Sequence, residues 1–144
     1  MNKVILMGRL VKDPEVRYSQ SNEPLAVSRY TLAVNRRFKR QGEPDADFIN
    51  CVSFGKAGEF AEKYFKKGQM VSVVGRIQVR SWDDKEGNKR WSTDVVVDEQ
   101  YFAESKASFE ERKSAPAPKS APNQSQAEGF YPIDSSMEDD DLPF

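Results

Sequence analysis

Five segments rich in β-branched and aromatic residues, each bounded by turn-forming residues, account for most of the chain up to residue 102. Segments of this kind predict β-strands, and five of them in succession predict an all-β domain. They cover residues 3–11, continued past a bend at 13–14 into 15–19, then residues 25–35, 48–54, 70–82 and 90–102.

One helix is predicted between the third and fourth segments. Phe60 and Tyr64 stand four residues apart in an apolar stripe with helical spacing, and Gly68 follows as a stop signal. Three strands, a helix and two further strands predict a five-stranded Greek-key barrel of the OB type. A two-sheet sandwich is the alternative architecture.

Alternation within the strands predicts which face of each strand is buried. In the second segment Tyr30 and Leu32 share one face, which we expect to be core, whereas Arg29 and Thr31 fall on the other. In the third segment Cys51 falls on the core face, and we interpret it as a packing residue. The fourth segment alternates in the same way, with one face formed by Val71, Val73, Gly75, Ile77 and Val79.

Composition excludes several classes of site. The chain has no histidine and one cysteine, which excludes histidine-dependent triads, Cys/His zinc sites and disulfides within the chain. We assign no catalytic residue, no metal ligand and no cofactor, and expect the protein not to be an enzyme. The N-terminal apolar run is broken by Gly8 and Arg9, unlike a signal peptide or a membrane span, so we expect a cytoplasmic protein with no membrane association.

Charge divides the chain into two parts of opposite sign. Residues 1–103 carry 18 Lys+Arg and 14 Asp+Glu, a net charge of +4, whereas residues 104–144 carry 4 and 9, a net charge of −5. Ser, Ala, Pro and charged residues dominate the stretch from residue 105, a composition typical of a flexible linker. We therefore predict a domain at 1–104, a flexible linker at 105–136 and an acidic tip at 137–144.

Aromatic residues interleaved with cations predict nucleic-acid binding. Phe38 lies among basic residues in a loop, Phe48 and Phe54 occupy the face opposite Cys51, and Trp82 ends the fourth segment. Extended bases stack on aromatic rings while cations neutralise phosphates. The stacking candidates are Phe38, Phe48, Phe54 and Trp82, and the cations beside them are Arg36, Arg37, Lys56, Arg76 and Arg80. Each residue also has an alternative interpretation. The loop around Phe38 is then a solvated hairpin loop, and Lys56 is an ordinary surface residue. Phe48 and Phe54 then cover a second apolar surface or a subunit contact.

The sequence MEDDDLPF at residues 137–144 joins an acidic run to apolar residues. Such a segment suits a basic-rimmed apolar pocket of a partner protein. The predicted docking residues are Asp139, Asp140, Asp141, Leu142, Pro143 and Phe144. A solubilising acidic tail is the alternative, and metal binding by the aspartates is disfavoured because a flexible run lacks a preorganised oxygen cage. The acidic tip is also expected to be attracted to the basic domain, weakening nucleic-acid binding at low salt.

Five separated segments resemble the bacterial single-stranded DNA-binding protein family. They read NKVILMGRLVKDPEVRY, TLAVNRRF, FINCVSFGKAGEFAEKYFKKG, VVGRIQVRSW and DDDLPF. The resemblance implies a homotetramer of OB-fold subunits that wraps single-stranded DNA with little sequence preference. It further implies protection of that DNA during replication, recombination and repair, at the nucleoid of the cytoplasm.

The same resemblance implies roles for individual residues. Base stacking falls on the four aromatic positions already named, although Phe38 and Phe48 stand where well-known members have the larger ring of Trp. The cations similar to the family's groove positions are Arg36, Arg37, Lys56, Lys67 and Arg80, with Lys3 and Arg9 as further candidates. The tip at 139–144 resembles the family's docking peptide for replication, recombination and repair proteins.

Two other functions account for part of the pattern. In a protein-interaction adaptor the barrel only oligomerises and the acidic tip acts, which leaves the aromatic residues and their arginines unexplained. An RNA-binding OB module of the cold-shock type is shorter and lacks both the helix and the tail.

Overall fold

The computed structural model describes residues 1–115, which form six strands and two helices. The elements are β1 (Val4–Leu10), β2 (Glu15–Tyr18), β3 (Ala26–Asn35), β4 (Ala46–Phe54), α1 (Lys56–Tyr64), β5 (Met70–Asp83), β6 (Lys89–Phe102) and α2 (Lys106–Ser114). The first predicted segment is therefore two strands separated at the bend, and the predicted helix between the third and fourth segments is confirmed.

The strands form one sheet in the order β1-β5-β6-β4-β3-β2. All pairings are antiparallel except β4 with β6, which run parallel. Two further pairings, Arg9 with Ala33 and Leu10 with Leu32, join β1 to β3 and close the sheet into a barrel. The predicted OB-type barrel is thus confirmed, and the two-sheet sandwich does not form.

The barrel interior is filled by the strand faces that alternation predicted. Tyr30, Leu32 and Cys51 are buried there, as expected from their positions in β3 and β4. Phe65, directly after α1, is also buried and packs edge-on against Tyr30, with ring centroids 5.7 Å apart. Residue Phe65 therefore anchors the end of α1 to the core.

The β5–β6 hairpin extends beyond the barrel. Val71 and Val73 of β5 are buried, but Ile77 and Val79 on the same strand face are exposed. The physical reason is that β1 pairs with β5 only as far as Gly75 and β4 pairs with β6 only at Val95–Val97, so within the described residues no strand borders the hairpin beyond Ile77. Alternation identified the shared face but not where the barrel ends.

Helix α2 occupies the start of the stretch that composition assigned to a flexible linker. The Ser105 side chain caps it by accepting a hydrogen bond from the Ser108 amide at 3.2 Å. Arg112 in its last turn forms an ion pair with Glu104, and the half-buried Phe109 packs near Gly68. The rest of the predicted linker and the acidic tip lie outside the described residues. No helix within residues 1–115 is long and apolar enough to span a membrane.

Candidate nucleic-acid interface

One outward face of the sheet collects five of the twelve predicted DNA-binding residues, namely Phe48, Phe54, Arg76, Arg80 and Trp82. It is formed by outward positions of β3, β4 and β6 and continues onto the β5–β6 hairpin, where Arg80 lies opposite Ser92 and Trp82 opposite Arg90. We call it the stacking face and define it by Arg29, Phe48, Val52, Phe54, Arg76, Arg80 and Trp82. Its continuity arises because strand register aligns the outward residues of neighbouring strands.

The predicted stacking rings are all substantially exposed. Their exposed fractions are 79% for Phe38, 67% for Phe48, 44% for Phe54 and 51% for Trp82. Phe48 and Phe54 stand six residues apart on β4, a separation of about 20 Å along an extended strand. Aromatic rings of a core would be covered, so this arrangement leaves ring faces available to a flat ligand.

The loop between β3 and β4 carries Phe38 outside the sheet. The guanidinium carbon of Arg37 lies 5.6 Å from the centroid of the Phe38 ring, a cation–π arrangement. Arg36 instead donates to Asp47 Oδ1 at 2.6 Å and lies 3.4 Å from Glu43 Oε2. This hydrogen bond lowers the pKa of Asp47, and the Arg36 charge is largely neutralised within the protein.

A polar cleft lies at the centre of the stacking face. Its floor includes Asp94, whose buried carboxylate accepts hydrogen bonds from Arg80 at 2.6 Å and from the Ser92 hydroxyl at 3.2 Å. The cavity measures about 270 Å³ and is also lined by Arg29 and Asn50. The cleft therefore offers donors and acceptors between the aromatic rings.

Among the described residues lining this cleft, Arg80 is the one that the sequence predicted as a binding residue, and the polar residues that it missed include Arg29, Thr31 and Asn50. Thr31 and Asn50 are register partners, and the Thr31 hydroxyl donates to the Asn50 side-chain oxygen at 3.1 Å. The signal that could have found them was present, because alternation already placed Arg29 and Thr31 on the face opposite the core. Only the pairing of β3 with β4 brings that face beside Phe48 and Phe54.

Three other predicted phosphate ligands lie on different elements. Arg76 lies at the base of the hairpin, 2.7 Å from Asp98, and Lys56 begins α1 shortly after Phe54. Lys3, which is exposed, immediately precedes β1.

The structure does not bring Arg9 and Lys67 to the stacking face. Arg9 donates to the Gly68 carbonyl at 3.0 Å and pairs with Glu104, and the Lys67 amide donates to Asp13 at 2.7 Å. Lys67 lies in the chain segment that follows α1, and Arg9 of β1 contacts the same segment through Gly68. Their predicted role in phosphate binding stays a prediction.

Chemistry by the lone thiol is not supported. Burial, followed by the nearby charge of Asp94, raises the pKa of Cys51 to about 12, so the group stays a protonated thiol near neutrality. Within residues 1–115 no three or more acidic or cysteine side chains cluster in a way that could hold a metal ion.

Comparison with known proteins adds a family to this geometry. A sequence model described as the Single-strand binding protein family matches residues 1–103. A Single-stranded DNA-binding protein of Caldanaerobacter subterraneus subsp. tengcongensis is 43% identical, over 100% of this chain and 99% of that protein. Single-stranded DNA-binding protein 1 of Lactococcus lactis subsp. lactis is 40% identical, also over 100% and 99%. Single-stranded DNA-binding protein 2 of Clostridium acetobutylicum is 50% identical over 72% of this chain and 77% of that protein.

Proposed function

Because this chain belongs to the Single-strand binding protein family, we propose that it binds single-stranded DNA with little sequence preference and protects it during replication, recombination and repair. The observation that carries the proposal is the set of four exposed aromatic rings, interleaved with cations, on and beside one sheet face. Proteins of this family are DNA-binding proteins rather than enzymes, which agrees with the expectation from composition.

Binding by stacking suits the chemistry of the face. Every base has a π-face, so stacking on Phe38, Phe48, Phe54 and Trp82 tolerates any sequence and contributes about 1–3 kcal/mol per base. Cations around the rings neutralise the phosphates between stacked bases. The proposed phosphate ligands near the rings are Arg36, Arg37, Lys56, Arg76 and Arg80. Lys3, Arg9 and Lys67 are proposed as phosphate contacts outside the stacking face.

Assembly into a homotetramer is the second part of the proposal. Strand β1 pairs with β3 only at Arg9 and Leu10, so the rest of its outer edge, Val4 to Gly8, is unpaired within the described residues. Ile5 and Met7 project from this strand and are exposed. An unpaired edge beside exposed apolar side chains favours strand addition by another copy. Sedimentation equilibrium of the full chain tests this: a tetramer is expected, and a monomer or a dimer at micromolar concentration would contradict it.

Partner recruitment by the tip at 137–144 is the third part, together with a location at the nucleoid of the cytoplasm. Its acidic run followed by Leu142, Pro143 and Phe144 suits basic-rimmed apolar pockets on replication and repair proteins. A chain ending at residue 136 is expected to keep DNA binding while losing capture of such partners. Equal capture by both chains would contradict this role.

The two tryptophans provide a matched test of stacking. Trp82 lies on the stacking face. Trp91 is also exposed, but it is the register partner of Ser81 and therefore projects from the other face of the same hairpin. We expect oligo-dT to quench the Trp91→Phe variant, in which only Trp82 emits, much more strongly than Trp82→Phe. Replacing Trp82 with Ala is expected to weaken binding about 5- to 150-fold, the equivalent of about 1–3 kcal/mol.

The controls are duplex DNA and the Trp91→Ala variant. Duplex DNA is expected to cause little quenching, and Trp91→Ala is expected to bind oligo-dT nearly as tightly as the unmodified protein. Equal losses of affinity in the two Ala variants, or equal quenching by duplex, would show that the hairpin does not bind bases through its Trp82 side.

A further inference from the structure

The polar cleft at the centre of the stacking face contains one cation without a carboxylate partner. The charged groups that line the cleft are the Lys12–Glu15 ion pair, the Arg80–Asp94 ion pair and Arg29. Within residues 1–115 Arg29 forms no ion pair, and Glu15, its register partner on β2, is engaged by Lys12. The guanidinium of Arg29 is therefore available to a ligand.

A neutral donor lies beside this cation. The Thr31 hydroxyl donates to Asn50 Oδ1 at 3.1 Å, so the amide nitrogen of Asn50 is directed away from Thr31. Asn50 is exposed and lines the cleft, and its amide nitrogen carries two N–H donors. Arg29 and Thr31 are two residues apart on the same face of β3, about 7 Å along the strand. The wall formed by β3 and β4 is thus rich in donors.

The floor of the cleft supplies acceptors instead. Asp94 lines this cleft and an adjoining cavity of about 220 Å³ that reaches Phe54. A carboxylate has about four acceptor positions, and Arg80 and the Ser92 hydroxyl occupy two of those on Asp94. The carboxylate can therefore accept a further hydrogen bond from an N–H group, but its charge disfavours a phosphate. The cleft suits the edge of a base better than the DNA backbone.

We propose that this cleft binds a guanine base of a DNA strand that stacks on Phe48 and Phe54. One edge of guanine carries the acceptors O6 and N7, which an arginine fork binds bidentately, and the adjacent edge carries the donors N1–H and N2–H. In the proposed complex Arg29 donates to O6 and N7, and Asp94 accepts from the adjacent edge. The inference rests on the single-strand binding proposed above and adds a base preference at one position.

The other three bases match this pair of groups less well. Adenine has no two adjacent acceptors on one edge, and thymine has a single N–H donor between its two carbonyl groups. Cytosine carries its donor and its acceptors on the same edge, so it can face only one side of the cleft. Guanine can bridge Arg29 and Asp94 because its acceptor pair and its donor pair lie on different edges.

The path of a bound strand brings a base to the cleft. Asn50 and Val52, which line it, lie between Phe48 and Phe54 on the same face of β4. The two phenylalanines are separated by about 20 Å along the strand, whereas successive bases in stacked DNA are about 3.4 Å apart. A strand that contacts both rings therefore spans several nucleotides and carries at least one base over the cleft.

The experiment measures the affinity of the full chain for oligonucleotides of about 12 nucleotides, within the site size of one OB fold. Oligo-dT is compared with the same oligonucleotide carrying one central dG, dA or dC, by competition against a labelled oligo-dT. We expect the dG oligonucleotide to bind at least about 5-fold more tightly than oligo-dT. Replacing its guanine with 7-deazaguanine, which lacks N7, or with hypoxanthine, which lacks the N2 amino group, is expected to reduce this gain.

A pair of variants assigns the preference to the cleft. Arg29→Met removes the donors, and the ratio of the dG to the oligo-dT affinity is expected to fall to about one. This ratio isolates base recognition, since the two oligonucleotides have the same number of phosphates. Arg40→Met is the control, because Arg40 is exposed in the β3–β4 loop and does not line the cleft. The ratio is expected to be unchanged in this variant.

Three results would overturn the inference. Equal affinities for the four oligonucleotides, or tightest binding of the dC oligonucleotide, would exclude guanine recognition while leaving the proposed function intact. A dG preference that persists in Arg29→Met would show that the cleft is not where the base is recognised. Failure of every oligonucleotide to bind would overturn the proposed function together with this inference.

Discussion

The Cys51 side chain illustrates how burial determines the chemistry of a single residue. Burial, and then the charge of Asp94, raises its pKa to about 12, so at pH 8 almost none of it is thiolate, the reactive form. We expect no measurable reaction of the folded protein with a disulfide reagent such as DTNB at pH 8. In denaturing urea the pKa returns to about 8.5 and reaction becomes rapid. Fast labelling of the folded protein would show that β4 opens frequently.

The stacking face shows which residue roles can be predicted from sequence. Phe48 and Trp82 stood out because large rings on a polar strand face are unusual, and both are exposed as expected. Arg29 and Asn50 gave no such signal, because a polar residue on an outward face is ordinary until its neighbours across the sheet are known. Sequence also could not show that Arg9 would be engaged by Glu104, since that contact joins residues 95 positions apart.

At the scale of elements, the β5–β6 hairpin depends on one glycine. A Cβ atom on Gly75 would lie 2.0 Å from the Val96 carbonyl oxygen, at a register shift between β5 and β6. The Val96 carbonyl belongs to backbone that is hydrogen-bonded within the sheet, so it cannot rotate away from an added Cβ atom. We expect Gly75→Ala to lower the free energy of unfolding by about 3 kcal/mol, measured by urea denaturation. Ser72→Ala on the same strand is the control and is expected to change it little; equal stability of both variants would refute the close approach.

Attachment of α2 depends on the ionisation of Glu104. Burial acts to raise the pKa of Glu104, but hydrogen bonds from the Met70 amide, Arg112 and Arg9 outweigh it, and the net shift is downward. Because the folded-state pKa is lower than the unfolded one, this stabilisation is fully present above the unfolded pKa. It is lost as pH falls through the folded pKa.

We therefore expect amide hydrogen exchange in α2 to accelerate relative to the barrel as pH is lowered below the ordinary Glu range near 4.3, after correction for intrinsic exchange. The Glu104→Gln variant is expected to show faster exchange already at neutral pH and little further change on acidification. If acidification accelerates exchange equally in both, another group controls the helix.

The sequence predicted those elements whose formation depends on the pattern of neighbouring residues. It did not predict features that depend on contacts between distant parts of the chain. The strands and α1 follow from alternation and helical spacing, which are properties of neighbouring residues. Helix α2 has a weakly apolar sequence and is held by Glu104, through Arg112, and by packing of Phe109 near Gly68. Exposure of Ile77 and Val79 follows from the short length of β1, which their own segment does not encode.

For the whole molecule, internal ion pairs set how strongly salt affects DNA binding. Each phosphate contact contributes about −0.7 to the slope of log K against log salt for single strands. Arg76 is already paired with Asp98 at 2.7 Å, so DNA displaces a carboxylate there as well as counterions. We expect Asp98→Asn to tighten oligo-dT binding a few-fold at low salt and to steepen the slope. Glu86→Gln in the hairpin turn is the control, and identical slopes for the two variants would contradict the displacement.

The outer part of the β5–β6 hairpin has a mechanical consequence. Residues 78–83 and 89–94 pair only with each other within the described chain, and a two-stranded ribbon of this kind is stabilised weakly and bends on fast timescales. Trp82 is thus carried on a movable arm, whereas Phe48 and Phe54 are fixed on β4 of the closed barrel. If DNA binds as proposed, the footprint of one subunit is an adjustable length, set by how far this arm closes over the strand.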